Sequence, residues 1–301
     1  MNYKLSICVI TMNRAAQLRE ALESCLACEL PEKTQFVVID NASTDNTQQA
    51  VAEMLDGCGY DYYYEKLPQN LGVGGGRNYA FTRSNGEYIY VLDDDAVIDI
   101  SKNRSFFIKA IDVMDTTPKI ATLTSQIYDT AWEANRVEKS GPEIEPGIFL
   151  CKMFCGGSHF LRKSFFSDPP YLPNKYGYEE IPPSLRVMDS GYVNAFCPGL
   201  LVIHKPAINK WDKTEQRNHD LLINGIATPY AIKKMMYPSV CKPLLWTAMR
   251  IRFFRDLRTV PNAERRFRKE VKEICNQYHI SGKIKFTTMC KMVKAFKLSA
   301  F

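Results

Sequence analysis

The sequence predicts an α/β protein built on a doubly wound, mostly parallel sheet, and three observations carry that prediction. Short β-rich apolar runs recur at residues 5–11, 36–40, 60–64, 88–93 and 120–124. Between them lie segments whose apolar residues repeat at helical spacing, as Leu18, Ala21, Leu22, Cys25 and Leu26 do. Several of the runs end on polar or acidic residues, and in such sheets ligands bind beyond the carboxyl ends of the strands. Right-handed crossovers are expected throughout.

The first run, 5–11, breaks at Met12-Asn13-Arg14 before the first helical pattern. The second ends on Asp40 and leads into Asn41-Ala42-Ser43-Thr44-Asp45-Asn46-Thr47, which offers several N-caps for a helix through Ala50, Val51 and Met54. After the third comes Asn70-Leu71-Gly72-Val73-Gly74-Gly75-Gly76-Arg77-Asn78. These glycines could let backbone N–H groups approach a phosphate with Arg77 as counter-charge, or they could simply make a flexible turn. The fourth run ends in Asp93, Asp94 and Asp95. Three adjacent carboxylates repel one another, so they suit a divalent cation with oxygen ligands, although a solvated acidic turn would read the same way.

Composition sets the outer bounds. At 301 residues, 46% hydrophobic and 24% charged, the chain is globular and long enough for one large domain or one domain with an appended segment. Its start lacks the shape of a signal peptide, and no apolar stretch approaches the ~20 residues that span a bilayer. A cytoplasmic location is expected, at the inner face of the membrane if the basic tail binds lipid. The ten cysteines lie in apolar patterns without zinc spacing, so reduced core thiols are expected. Residues 230–301 hold 17 Lys and Arg against 4 Asp and Glu, an excess of +13 in a chain whose net charge is +6. The expected division is therefore 1–229 for the α/β domain and 230–301 for a basic helical extension.

Four motifs in this order resemble the inverting glycosyltransferases of family 2, which have the GT-A fold and use nucleoside-diphosphate sugars. They are Ile10-Thr11-Met12-Asn13-Arg14, the stretch from Asp40 through Asn41 to Asp45, Asn70-Leu71-Gly72 with Arg77-Asn78, and Asp93-Asp94-Asp95 as the DxD. Met12 replaces the usual aromatic and Ile10 the usual proline. The resemblance implies that Thr11 and Asp40 contact the nucleoside, with Asp40 accepting from the base. It places Arg77 near the diphosphate, Asp93 near ribose and metal, and Asp95 on the metal. Asn13, Arg14, Asn41, Asn70, Gly72 and Asp94 complete the implied donor site. The implied cofactor is Mn²⁺ or Mg²⁺, and the implied donor a UDP- or dTDP-sugar.

In the second half, Gly156, Gly157 and Ser158 resemble the family's small-residue strand at the acceptor, where a glycine bulge would look alike. His159 beside them reads as a wall residue. Glu179 and Glu180 stand in the place of the family's acidic pair, with Glu180 as the implied general base where Asp is usual. Pro182-Pro183 interrupts the start of the following helix. His204, after an apolar strand, matches a histidine that completes the family's metal site, and imidazole favours Mn²⁺ over Mg²⁺.

Residues 212–236 read as helical. Beyond them Trp246, Phe253 and Phe254 interleave with Arg250, Arg252, Arg255 and Arg258. Such a basic amphipathic helix can lie on an anionic membrane or pack on the catalytic domain. No nucleic-acid module accompanies the charge. The expected function is metal-dependent sugar transfer to a carbohydrate or lipid-linked acceptor in surface-glycan assembly. Nucleotidyl transfer and non-catalytic nucleotide-sugar binding are the alternatives.

Overall fold

The structure, a computed structural model, describes residues 2–136, 141–175, 177–206 and 215–301. The first half alternates as the apolar runs require. It runs β1 (Tyr3–Thr11), α1 (Ala15–Leu26), β2 (Thr34–Asp40), α2 (Thr47–Leu55), β3 (Asp61–Lys66), α3 (Gly72–Arg83) and β4 (Gly86–Asp93). Then come β5 (Ala96–Ile98), α4 (Ile100–Asn103), α5 (Phe106–Thr116), β6 (Ile120–Asp129), β7 (Ala134–Asn135), β8 (Glu143–Glu145), β9 (Ile148–Cys151) and β10 (Ser158–Arg162). The chain continues through α6 (Ile181–Asp189), β11 (Val193–His204), α7 (Glu215–Met236), α8 (Lys242–Leu257), α9 (Ala263–Gln277) and α10 (Phe286–Phe296).

The sheet has the order β3-β2-β1-β4-β10-β6-β11-β9-β8. Strands β3, β2, β1, β4, β6 and β11 share one direction, and β10 runs against its neighbours β4 and β6. Alternation along the strands sorts the core onto two faces. Leu5, Ile7, Val9, Phe36 and Val38 pack with α1 and α5, while Cys8, Val37, Ile39, Ile89 and Val91 pack with Ala80 and Phe81 of α3. Tyr90, Phe106, Phe107 and Phe160 form a fully buried aromatic cluster under the middle of the sheet, with Tyr90 at 4.5–5.5 Å from the other three ring centres. Each such ring contributes roughly 1.5–3 kcal/mol of burial, which fixes the strands whose ends carry the acids. All ten cysteines are free thiols.

The polar stretch 128–146 supplies the end of β6 and the short strands β7 and β8. Two sequence expectations change. Pro182 and Pro183 do not interrupt α6; they occupy its first turn, where a missing N–H costs nothing and the fixed φ suits a helix. The boundary expected at 229/230 falls inside α7, which continues through Pro229 to Met236. Of the helix expected over 212–236, residues 212–214 lie outside the described residues.

The C-terminal helices form two clusters. Ile232, Met236, Leu245, Met289, Met292 and Phe296 pack against Leu172 of the preceding loop and Ile181 and Leu185 of α6. Met249, Phe253 and Leu257 of α8 face Phe267, Val271 and Ile274 of α9 across Ala227 and Ala231 of α7. Phe253 therefore belongs to a core and not to an exposed stripe. Among the described residues no helix is long and apolar enough to cross a membrane.

Candidate active site

Strand register assembles the acidic centre. β4 ends at Asp93, and the turn through Asp94 and Asp95 leads straight into β5. β5 pairs antiparallel with β11 so that Ala96 sits opposite His204, and Lys205 N donates to Asp95 O at 2.7 Å. That pairing delivers the His204 imidazole to Asp95, with Nε2 at 3.1 Å from Asp95 Oδ1. Ligand atoms of Asp93, Asp95 and His204 all lie within 4.8 Å of one another. Two carboxylates and an imidazole nitrogen form a donor set that fits Mn²⁺, which accepts both oxygen and nitrogen.

The same register reveals a residue that the sequence reading missed. β6 runs parallel to β11 with Asp129 opposite His204, and Asp129 Oδ2 lies 3.0 Å from His204 Nδ1. Asp129 is buried and held by Arg136 Nε at 2.7 Å and by the Ala131 N–H at 2.9 Å. Burial alone would raise its pKa, but Arg136 and that N–H outweigh burial and lower it. Asp129 holds Nδ1–H of His204 and points Nε2 at Asp95, whose hydrogen bond and charge outweigh burial and raise the imidazole pKa. A cation bound here would take the place of the Nε2 proton. The signal was present in the sequence: residues 125–129 extend an apolar strand into a terminal carboxylate, as the strands before Asp40 and Asp93 do. Asp129→Asn is expected to weaken Mn²⁺ binding by about 10–100-fold while the fold persists. Calorimetry with Mn²⁺ alone checks it, and an unchanged affinity would remove Asp129 from the site.

Arg14, half-buried, donates from Nη1 to Asp94 Oδ1 at 2.8 Å and to Asp95 Oδ2 at 2.7 Å. It offsets two of the three acids of the triplet. Asp94 is nevertheless pushed up to about 6, by burial first, with Arg14 opposing and Asp95 adding to the rise.

Arg77 differs from its expected place. Its side chain is only 3% exposed and bridges carboxylates on two sides. Nη2 donates to Asp93 Oδ1 at 2.7 Å, while Nη1 donates to Glu179 Oε1 and lies 3.4 Å from Glu180 Oε1. Its charge is committed to these three acids and is not open to a diphosphate. Burial works against ionisation of Asp93, yet Arg77 and His204 lower its pKa overall. Glu180 shifts the other way, to about 8, because burial and then the charge of Glu179 outweigh Arg77. Both acids precede α6, whose first residue is Ile181. Glu179 Oε2 is buried without a partner.

Gly156 makes this arrangement sterically possible. A Cβ there would fall 1.9 Å from Glu180 Oε1 and 2.5 Å from Arg77 Nη1. Gly157 borders the other acid, with its O accepting from Asp93 N at 3.0 Å. Ser158 does not line the acceptor side. Its side chain is fully buried, with Oγ bonded to Tyr90 Oη at 2.8 Å and Ser125 Oγ at 2.6 Å, because strand alternation turns it into the core. His159 is a wall residue, bonded to Cys155 O and Tyr171 Oη and held down to about 3 chiefly by burial.

The other expected donor residues gather at the ends of β1 and β2. Asp40 is buried, with Oδ1 accepting from Ser43 N at 2.7 Å and Oδ2 from Tyr64 Oη at 2.9 Å. Thr11 Oγ1 is buried with no hydrogen-bond partner. Asn13 joins the two loops, its N–H donating to Ser43 Oγ and its Oδ1 accepting from Thr44 N.

The glycine segment is helical from Gly72 onward, so the phosphate-cradle expectation for it fails on hydrogen bonding. Gly72 N donates to Asn70 Oδ1, Val73 N to Lys175 O and Gly74 N to Asn174 O. These N–H groups are spent on the chain itself. Gly74 is needed for that contact, since a Cβ would fall 1.9 Å from Leu172 O. Asn41 Nδ2 donates to Gly72 O and its Oδ1 accepts from Leu71 N, so Asn41 and Gly72 are joints of this scaffold.

Comparison with known proteins bears on the family and the fold. Residues 6–139 match the model of glycosyl transferase family 2. A poly-beta-1,6-N-acetyl-D-glucosamine synthase of Staphylococcus epidermidis is 28% identical over 120 residues, which is 40% of this chain and 27% of that protein. The aligned stretch thus spans about a quarter of that relative's length. Among solved structures, S. aureus TarS 1-349 in complex with UDP-GlcNAc superposes with a TM-score of 0.63 at 16% identity, covering 99% of this chain and 89% of that one. Mannosyltransferase PcManGT from Pyrobaculum calidifontis, in complex with GDP-Man and Mn²⁺, gives 0.59 at 15% identity, covering 98% and 79%. At these identities the two structures speak to the GT-A fold.

Proposed function

Because the chain belongs to glycosyl transferase family 2 through residues 6–139, we propose that it moves a sugar from a nucleoside-diphosphate donor to an acceptor hydroxyl, with inversion and with a divalent cation. The observation that carries this reading is the buried Arg77, which ties the candidate metal ligand Asp93 to the candidate base Glu180. One guanidinium thus sets the distance between the two ends of a displacement reaction. In that reaction the acceptor O–H gives its proton to Glu180 while its oxygen bonds to the anomeric carbon. The bond from that carbon to the diphosphate oxygen breaks on the opposite face, and its electron pair leaves with the nucleoside diphosphate.

Asp93, Asp95 and His204 would hold the cation, which when bound supplies positive charge against the departing diphosphate. Arg14 adds a fixed charge at the same end. Glu180, lifted to about 8, is matched to accepting a proton near neutral pH. Gly156 lets Glu180 and Arg77 pack against the backbone, and a side chain at Gly157 would crowd Asp93. Thr11 Oγ1 and the remaining lone pairs of Asp40 are the groups offered to the nucleoside. A carbohydrate or lipid-linked acceptor in surface-polysaccharide assembly suits the likeness to the N-acetylglucosamine polymer synthase.

A panel of UDP-, dTDP- and GDP-sugars with Mn²⁺ and glycan acceptors tests the reading. The expected products are free nucleoside diphosphate and a glycoside of inverted anomeric configuration by NMR. Pyrophosphate as product would replace it with nucleotidyl transfer, and donor binding without turnover would leave a binding protein.

A further inference from the structure

A groove of about 760 Å³ lies between α8 and α9, lined by residues of the C-terminal helices only. Tyr230, Met249 and Phe267 form its apolar base, and the exposed Trp246 lines it beside Lys234, Arg250, Arg268 and Lys272. The one acid among the lining residues, Glu264, is already held by Arg250 at 2.6 Å and Arg268 at 2.9 Å. Lys234 and Lys272 are exposed and have no ion pair among the described residues. Four cations around one neutralised acid leave a site short of negative charge, and compact anions with several acceptor oxygens meet that need.

What adjoins the groove indicates the carrier of the anion. The Arg250 guanidinium lies 4.6 Å from the Phe254 ring centre, so Phe254 continues the groove wall outward. Ile251 and Leu244 share that outer face at helical spacing, and Phe254, Ile251 and Leu244 are 61%, 67% and 56% exposed. The opposite face of α8 is occupied by the core contacts of Leu245, Met249, Phe253 and Leu257. An exposed apolar strip beside a cationic groove is the pattern of a surface helix at a lipid interface.

We propose that the α8–α9 groove binds the phosphate headgroup of an anionic phospholipid while Leu244, Ile251 and Phe254 enter the bilayer interface. The proposal concerns a site separate from the acidic centre, and its test reads no sugar transfer. It can therefore fail while the proposed reaction stands.

The experiment is co-sedimentation of the full chain with phosphatidylglycerol-containing and pure phosphatidylcholine vesicles at low and high salt. Binding is expected only with the anionic vesicles and should weaken with salt. Lys234→Gln with Lys272→Gln removes two exposed, unpaired cations and should weaken it by about 30-fold. Phe254→Ser should also release the protein, at unchanged melting temperature. Equal binding by the double lysine variant, or no wild-type binding at low salt, would overturn the proposal. So would inorganic phosphate protecting the groove lysines from acetylation when anionic vesicles do not, or a dimer that Phe254→Ser dissociates in the absence of vesicles.

Discussion

Replacing Asp95 with alanine is expected to abolish the stabilisation that Mn²⁺ confers on the protein and the metal-enhanced binding of nucleoside diphosphate. Asp95 stands at the junction of the centre, with Oδ1 against His204 and Oδ2 against Arg14. Its loss removes one of three ligands outright, so the effect should exceed the roughly 10–100-fold expected for Asp129, which only orients His204. Wild-type protein at a hundredfold excess of Mn²⁺ over Kd should gain about 2.7 kcal/mol by mass action, and the variant essentially none. The metal-free variant is expected to melt lower than wild type, because Arg14 and His204 each lose a carboxylate partner, so the comparison is each protein with and without Mn²⁺. Thermal unfolding and UDP calorimetry, each with and without Mn²⁺, make the measurement. A variant that Mn²⁺ still stabilises would move the metal away from this triad.

Much of this centre was legible in the sequence because strands that end in carboxylates announce themselves. Asp40, Asp93 and Asp95 each close an apolar run or follow one directly, and the sheet brings those ends together. His204 could be paired with them only by resemblance, since its proximity depends on β11 lying antiparallel to the three-residue strand β5. Arg77 was misread for a related reason. A glycine-rich stretch before an arginine looks like a phosphate loop, but close packing of α3 on residues 172–175 consumes the N–H groups and buries the side chain. Ser158 was misplaced because a one-residue step along a strand exchanges the open face for the core. In the C-terminal helices, charge counting found a basic object but could not tell Phe253, buried against α9, from Phe254, exposed one residue later.

Glu180→Gln should lower transfer by roughly 10²–10⁴-fold with donor binding nearly intact, the usual effect of removing a positioned base. The wild-type pH profile supplies the second readout. Burial and the neighbouring Glu179 lift Glu180 from an ordinary value near 4.5 to about 8, and only its ionised form can accept the acceptor proton. kcat/KM should therefore rise with pH toward that value, with the limb shifted downward by a bound cation, and the Gln variant should lose the limb. Stability moves the opposite way. Between 4.5 and about 8 the folded state keeps a proton that the unfolded chain releases, so this group's contribution is full below 4.5 and is lost as pH rises. Glutamine carries no such penalty, so Glu180→Gln should melt no lower than wild type above neutral pH. Glu179→Gln should behave differently, because Glu179 Oε1 is held by Arg77 and its Oε2 is buried. Weakening that pair leaves Arg77 less well compensated and should lower the melting temperature more than it alters the pH limb. If Glu179→Gln instead removes the limb while Glu180→Gln keeps it, the base lies one residue earlier, and the Arg77 contact is what must open for it to act.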